Sequence, residues 1–333
     1  MASTISRRTI LVAGLTLPGL TLPLAARSQP TPSAWPERPI RMLVPFAAGG
    51  GTDISTRIIA PKLSDLLGQP VIVENRPGAG GTLGTAEIAK APPDGSAFLM
   101  ATLSTVGLAV GLYRSLPYDP ERDLIAVHPT VLVPIALVVH PALGVRTVPE
   151  FVALLKANPG KYSFGSAGNG TSGHIAGAAF LNLTGTEALH VPYRGSGPVF
   201  NDLLAGTVHF TFDITGLIKP HHAAGTLRAL GIATPERSPE LPDVPTFIEQ
   251  GLPEYRAYSW YGVFAPKATP APIVARMAGA IETALADTAV SQRLVEQGLV
   301  PMRDFTPARF QQFLADELAY WVPIVRATGA KVD

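Results

Sequence analysis

The chain of 333 residues carries 26 basic and 25 acidic residues for a net charge of +1, and charged side chains make up only 15% of it. So even a balance offers no basic face to nucleic acid, and the absence of cysteine excludes disulfides, thiolate metal sites, cysteine nucleophiles and a lipid-modified N-terminal cysteine. A neutral partner, or a small anion held locally, fits this composition.

At the N-terminus, Arg7 and Arg8 precede an apolar run from Ile10 to about Ala26, and no acidic residue occurs before Glu37. This is the pattern of an export signal, and the paired arginines make it similar to a twin-arginine signal, the route for proteins exported already folded. Gly14, Pro18, Gly19 and Pro23 interrupt the run, which falls short of the roughly 20 continuous apolar residues of a membrane anchor. Residues 1–28 are expected to be removed near Ala26 to Ser28, leaving a periplasmic protein long enough for two domains.

Beyond the signal, short β-branched runs alternate with helix-like segments. Strands are expected at 40–46 (IRMLVPF), 70–75 (PVIVEN), 97–102 (AFLMAT), 135–140 (IALVVH), 161–166 (KYSFGS), 188–193 (ALHVPY), 208–213 (VHFTFD), 227–234 (LRALGIAT) and 258–266 (YSWYGVFAP). Strand, turn and helix repeated in this way indicate parallel sheets with helices on both faces. The first helix is expected over 52–67, where Ile54, Ile58, Ile59, Leu63, Leu66 and Leu67 recur at helical spacing before Gly68. Residues 271–327 read as helical, with breaks at 298–301 and 306–307. Changes of pattern near 127–137 and 252–260 suggest that the chain crosses there between domains, the middle third being inserted.

Three glycine-rich turns lead from strand into helix. The first, VPFAAGGGTD (44–53), holds Gly49, Gly50 and Gly51, whose missing Cβ atoms let backbone amides approach a ligand. The second, ENRPGAGGTLGTAE (74–87), contains Gly80 and Thr82. The third, FGSAGNGTSGH (164–174), contains a literal G-x-G-x-x-G at Gly168, Gly170 and Gly173. Unpaired amides at a helix N-terminus make an anion site that the helix dipole reinforces, and Thr52, Thr82, Ser166, Thr171 and Ser172 add hydroxyl donors. The plain alternative for each turn is a tight connection with a capped helix.

Arg194, beside Gly195 and Ser196 in a fourth turn, is either a surface ion-pair residue or a charged fork for a carboxylate. Asp213 ends a strand, where ligand sites of α/β proteins cluster, or else caps the next helix. Asp53 reads as an organiser of its loop, and His174 as a helix-face residue beside the third turn. His221 and His222 lack further ligands at metal-binding spacing.

No nucleophile elbow, Walker A loop or H-E-x-x-H helix occurs. An enzyme would therefore have to use G-x-G-x-x-G as a dinucleotide turn, which requires an acidic residue at the end of the next strand for the ribose hydroxyls. That strand ends in LHVPYRG without one. Arg194 would suit a 2′-phosphate, so an exported NADP-dependent oxidoreductase stands as the alternative, and a structural or sensor-partner module as a third reading.

Six ordered blocks then carry a resemblance: 38–100 (RPIRMLVPFAAGGGTD to GSAFLM), YDPERDL, KANPGKYSFGSAGNGTSGHIAG, VPYRGSGPVFNDLLAGTVHFTFD, GTLRALGIATPERSPELPDVPTFIEQGLPEY and WYGVFAPKATP. From about Trp35 to Val332 the chain resembles the Bug family of periplasmic solute-binding receptors, which serve tripartite tricarboxylate transporters. The resemblance implies a two-domain α/β clamshell, the Venus-flytrap arrangement of type 2 periplasmic binding proteins, each domain a mostly parallel sheet flanked by helices. Domain 1 would comprise 35–130 plus 257–333 and domain 2 would comprise 131–256.

It implies a receptor and not an enzyme, with no cofactor and no metal expected and a monomer as the default state. Its ligand would be a small carboxylate: a di- or tricarboxylate, an acidic amino acid or an aromatic acid. That ligand is captured by hinge closure and delivered to membrane transporter subunits. The expected ligand-binding residues are Phe46, Ala47, Gly49, Gly50 and Thr52 in the first turn and Gly80 and Thr82 in the second. In the third they are Ser166, Gly168, Asn169, Gly170, Thr171, Ser172 and His174, followed by Tyr193, Arg194 and Gly195, with Asp213 reading the ligand's other groups. The segment ITGLIKPHHAAG (214–225) departs from the family pattern, so nothing is carried onto His221 and His222.

Overall fold

The computed structural model describes residues 35–193, 195–327, 329 and 331; the export-signal reading of 1–28 lies outside them. Among the described residues no helix is long and apolar enough to cross a membrane.

The first βαβ unit is β1 (Ile40–Val44), α1 (Gly51–Leu67) and β2 (Val71–Asn75), with β2 parallel to β1. Helix α1 stops at Gly68, which takes φ 74° and donates its N–H to the Ser64 carbonyl, a left-handed cap that costs glycine least. Helix α2 (Thr82–Ala89) leads to β3 (Ala97–Thr102), which lies parallel to β1 on its other edge. After α3 (Ala109–Leu112), the 16-residue β4 (Leu124–Val139) runs out of this half of the molecule into the other.

There, α4 (Val148–Ala157), β5 (Ser163–Ser166), α5 (Ser172–Thr184), β6 (Leu189–Pro192), α6 (Ser196–Leu204), β7 (Phe210–Ile214), α7 (Thr215–Ala223) and β8 (Arg228–Ile232) follow in turn. The chain returns through β9 (Tyr258–Pro266) and ends in α8 (Ala271–Ala286), α9 (Thr288–Glu296), β10 (Val300–Pro301) and α10 (Pro307–Ala327).

The strand order is β2-β1-β3-β9-β4-β7-β5-β6, with β8 and β10 also on β4. Strand β4 is shared: its first part pairs with β9 and β10, its last part with β7 and β8. Parallel pairs belong to the βαβ units, whereas β4 and β9, which carry the chain across, run antiparallel to their neighbours. Helices cover both faces because the strands alternate. On β3, Phe98 and Met100 join the core under α1 and α8, while Leu99 and Ala101 join Trp260, Phe310 and Leu314 under α10. In the second half α4 and α5 bring Phe151, Ile175 and Phe180 to one face, and α6 and α7 bring Phe200, Leu203 and Ile218 to the other.

Glu317 of α10, only 4% exposed, fastens β9 where it enters the first half. Its carboxylate accepts from the Tyr258 hydroxyl at 2.7 Å, Trp260 Nε1 at 2.8 Å and Trp321 Nε1 at 3.2 Å. Burial pushes its pKa up, and these three donors pull it back.

Candidate functional site

A cavity of about 200 Å³ lies where the two halves of the sheet meet over β4. Phe46, Thr52, Thr102, Ser104, Ser259 and Tyr261 face it from the first half. Ala167, Thr171, Ser172, Gly173, Phe212, Asp213 and Ile214 face it from the second, and Val133 and Ile135 of β4 lie between. Among these residues there is no lysine or arginine, and Asp213 is the one carboxylate.

Helix α5 aims its N-terminus at the cavity. Thr171 takes extended backbone geometry (φ −70°, ψ 158°), and its hydroxyl accepts from the His174 amide at 3.4 Å, capping the third helical position. The Ser172 and Gly173 amides, in the first turn, have no intrahelical acceptor and stand at the cavity wall. Gly173 sits there because nothing larger fits: a Cβ would lie 2.3 Å from the carbonyl oxygen of Phe212 on β7. The third glycine of the G-x-G-x-x-G thus lets helix and strand approach closely.

The loop before the helix is held by its own side chains. The Ser166 hydroxyl is 2.7 Å from His190 Nε2 and 3.0 Å from the Gly168 carbonyl, and Thr171 donates to the same carbonyl at 2.8 Å. Gly170 donates its amide to His174 Nδ1 at 3.1 Å, and the rings of His174 and His190 stack at 3.9 Å. Burial lowers the pKa of both imidazoles, that of His190 to about 4 with His174 adding to the effect, so neither carries charge at neutral pH. Ser166, Gly168, Gly170 and His174 therefore shape the loop and are absent from the cavity wall. Asn169 is absent from it as well.

Asp213, at the end of β7, is 9% exposed and accepts from the Ile214 amide at 2.8 Å and from the Ser196 hydroxyl. Burial raises its pKa, and those two donors oppose the rise. Tyr261 is hydrogen-bonded to Thr52 and lies close enough to Asp213 to feel its charge. Burial, the larger cause, and that charge keep the phenol protonated as a donor.

The remaining sequence candidates fall elsewhere. Gly49 and Gly50 line an adjoining hollow of about 410 Å³ with Ser196, Gly216 and Leu217, and Ile214 belongs to both spaces. Ala47 lines neither. Gly80 is under the Tyr113 hydroxyl, 2.9 Å from where its Cβ would be, and Thr82 donates to the Ala79 carbonyl at 2.8 Å. Tyr193 gives its hydroxyl to Asp202 at 2.6 Å, while the Tyr193 and Gly195 amides support the Ser166 and Ala167 carbonyls. Arg194 lies outside the described residues. Asp53 organises its loop, accepting from Gly49, Arg57 and Asn75.

Sequence reasoning did not single out Thr102, Ser104, Ser259 and Tyr261 as site residues. Thr102 had a usable signal, since it ends a strand as Asp213 does. Ser259 and Tyr261 alternate along β9 and reach the site only because β9 pairs with β3 and β4.

No residues among those described group three or more His, Asp or Glu side chains in a way that would hold a metal. The polar part of the wall consists of helix amides, hydroxyls and one carboxylate, set among the apolar Phe46, Val133, Ile135, Ala167, Phe212 and Ile214, which suits a small anion bound by neutral donors.

Comparison with known proteins gives the family of the chain. The family model described as tripartite tricarboxylate transporter family receptor matches residues 55–330. Protein BugT of Bordetella pertussis is 39% identical over 316 residues, covering 94% of each chain. Among solved structures, MatC of Rhodopseudomonas palustris with bound malate is 33% identical with a TM-score of 0.76, covering 87% of this chain and 100% of that one. Rpa4515 of the same organism, with adipate, is 34% identical with a TM-score of 0.79, covering 90% of this chain and 100% of that one.

Proposed function

The chain belongs to the tripartite tricarboxylate transporter receptor family, and from that premise we infer a receptor that captures a small carboxylate in the cavity between its two lobes. The family is one of solute-binding receptors and not of enzymes, and its fold is the two-domain clamshell. The single observation that carries the ligand class is the α5 N-terminus, whose Ser172 and Gly173 amides lie at a cavity lined by hydroxyls and apolar side chains, with no basic side chain on its wall among the described residues. One carboxylate of the ligand sits on these amides, and Asp213 accepts a hydroxyl or ammonium of the ligand or fixes its orientation. Malate and adipate, bound by two relatives, indicate the size of acid to try first.

Capture works by hinge closure. The lobes are 35–130 plus 257–333 and 131–256, joined by β4 and by the segment entering β9. On one rim Gly170 meets Leu112, and on the other Gly216 meets the backbone of Gln297 and Gly298, contacts so close that a Cβ on Gly170 would be 2.8 Å from Leu112 Cδ1. Such contacts favour the closed form, which a ligand bridging both lobes stabilises further. The exported protein acts in the periplasm as a monomer and hands its acid to a membrane transporter.

Thermal unfolding of residues 29–333 against malate, adipate, citrate, aspartate, nicotinate and NADP tests this reading. One class of acid should raise the midpoint, since a ligand at 100 times its dissociation constant adds about 2.7 kcal/mol. A rise with NADP alone would reinstate the oxidoreductase.

A further inference from the structure

The third glycine turn ends in a histidine whose ring folds back on its own loop. His174 is the third residue of α5 and is 7% exposed, and its Nδ1 receives the Gly170 amide at 3.1 Å. An amide donates only to a ring nitrogen that carries a lone pair, so this bond exists only with the neutral Nε2–H tautomer. A proton added to that ring goes to Nδ1, where it sets one N–H against another. Two further features oppose a charge there. The ring belongs to the first turn of α5, the positive end of the helix dipole, and it stacks on His190 of β6 with centroids 3.9 Å apart and planes 11° from parallel. Gly170 is also where the two lobes touch. Its φ of 76° lies in the left-handed region that favours glycine, and a Cβ there would be 2.8 Å from Leu112 Cδ1 of α3. His174 thus holds the residue that meets the first lobe, without itself standing on the cavity wall.

We propose that His174 is a positioning residue for capture: its bond to Gly170 holds the turn against Leu112 only while the ring is neutral, so that mild acid opens this rim and releases the carboxylate. This deepens the receptor reading above and rests on it. In the open form the Gly170 bond no longer restrains the ring, and His174 takes a proton near the ordinary histidine value of about 6.5. In the closed form burial lowers that value. The closed form therefore has its full advantage above about pH 6.5 and loses it as pH falls toward the lowered value, by up to about tenfold for each pH unit. His190, lowered to about 4 by burial and by the charge of His174, follows only in stronger acid. Other titratable groups near the pair have their own places. Asp213 and Tyr261 belong to the cavity wall, His209 accepts from the Ser163 amide at the other end of β5, and Tyr113, next to Leu112, donates to the Ala79 carbonyl. Tyr255 donates to the Ala176 carbonyl of α5, and Glu317 of α10 is bonded to Tyr258 and two indoles. Arg194, after β6, lies outside the described residues.

The test is calorimetric titration of malate and adipate at about pH 7.5 and about pH 5.5, the window set by the ordinary histidine value. Wild type is compared with His174→Asn, which places a carbonyl oxygen at the δ position and takes no proton, and with His174→Phe, which keeps only the ring. The ligand and Asp213 titrate alike in all three proteins, so the quantity read is each protein's ratio of dissociation constants at the two pH values. Wild type should weaken by up to about tenfold more than His174→Asn between them, a difference that a merely structural histidine would not produce. At the higher pH His174→Phe should bind about threefold to tenfold more weakly than wild type, the worth of one neutral hydrogen bond, and His174→Asn should recover most of that loss. Circular dichroism reads the fold of each variant. Equal pH ratios in wild type and His174→Asn, or wild-type affinity in His174→Phe at the higher pH, overturn the role of His174 and leave the receptor reading standing. Failure of wild type to bind either acid, or any other acid of the unfolding series, at the higher pH overturns the receptor reading and this inference together.

Discussion

Gly173→Val should reduce affinity for the acid at least a hundredfold while the protein remains folded. The added Cβ would lie 2.3 Å from the Phe212 carbonyl oxygen, and that oxygen belongs to the backbone of a central strand, so it is α5 that must move. The first turn of α5 then lifts from β7 and carries the Ser172 and Gly173 amides out of line with the carboxylate. Two hydrogen bonds to a charged group, worth about 1.5–3 kcal/mol each, are at stake, and a hundredfold loss needs about 2.8 kcal/mol. Helix propensity does not explain such a loss, because valine is a better helix former than glycine. Gly279→Ala in α8, where nothing lies within 4 Å of the added Cβ, is the matched control and should leave binding unchanged. Calorimetry reads the affinity and far-ultraviolet circular dichroism the fold; wild-type affinity in Gly173→Val would remove the α5 turn from the site.

Glu317→Ala should lower unfolding stability by about 3–5 kcal/mol, the largest stability loss expected of one polar truncation here. The substitution strands the Tyr258 hydroxyl and the indole N–H groups of Trp260 and Trp321, each bonded to this carboxylate, and an unsatisfied buried donor costs about 1–3 kcal/mol. Some of the three recover partners by relaxation, so the sum stays below the simple total. Glu317→Gln keeps an acceptor oxygen but turns an N–H₂ toward donors, and should fall between alanine and wild type. Urea denaturation followed by tryptophan fluorescence measures the series; an alanine variant as stable as wild type would mean that the network adds nothing. Glu317 is not on the cavity wall, so the folded variant should still bind acid.

Much of this architecture could be read locally. Strands 97–102 and 258–266 coincide with β3 and β9, because each is a β-branched or aromatic run between breakers. The helical C-terminal third breaks at Gly298 to Pro301 as glycine and proline require, though the break contains the short strand β10. The first part of β4 was not legible, since Pro129 and Pro134 argue against a central strand. The structure accommodates Pro129 with register shifts at 126/128 and 129/131, which adjust the ladder where proline cannot donate.

At the site, Thr171, Ser172 and Asp213 were legible because helix starts and strand ends have local signatures. Ser166 reads as a ligand donor in the sequence, and the partners its hydroxyl takes in the structure, His190 from the neighbouring strand and Gly168, have no local signature. Thr102 and Tyr261 meet only through β3–β9 pairing across more than 150 residues of chain, and no local pattern reports that.

Whether the α5 N-terminus holds the carboxylate is read from the change in backbone amide NMR shifts as the best-binding acid is titrated into the ¹⁵N-labelled protein. The Ser172 and Gly173 amides should show the largest downfield movement, saturating at the calorimetric dissociation constant, with Asp213 and Ile214 on the adjoining strand β7 also responding. Saturable binding with Ser172 and Gly173 unmoved, and the main changes outside the cavity, would place the acid away from the α5 N-terminus.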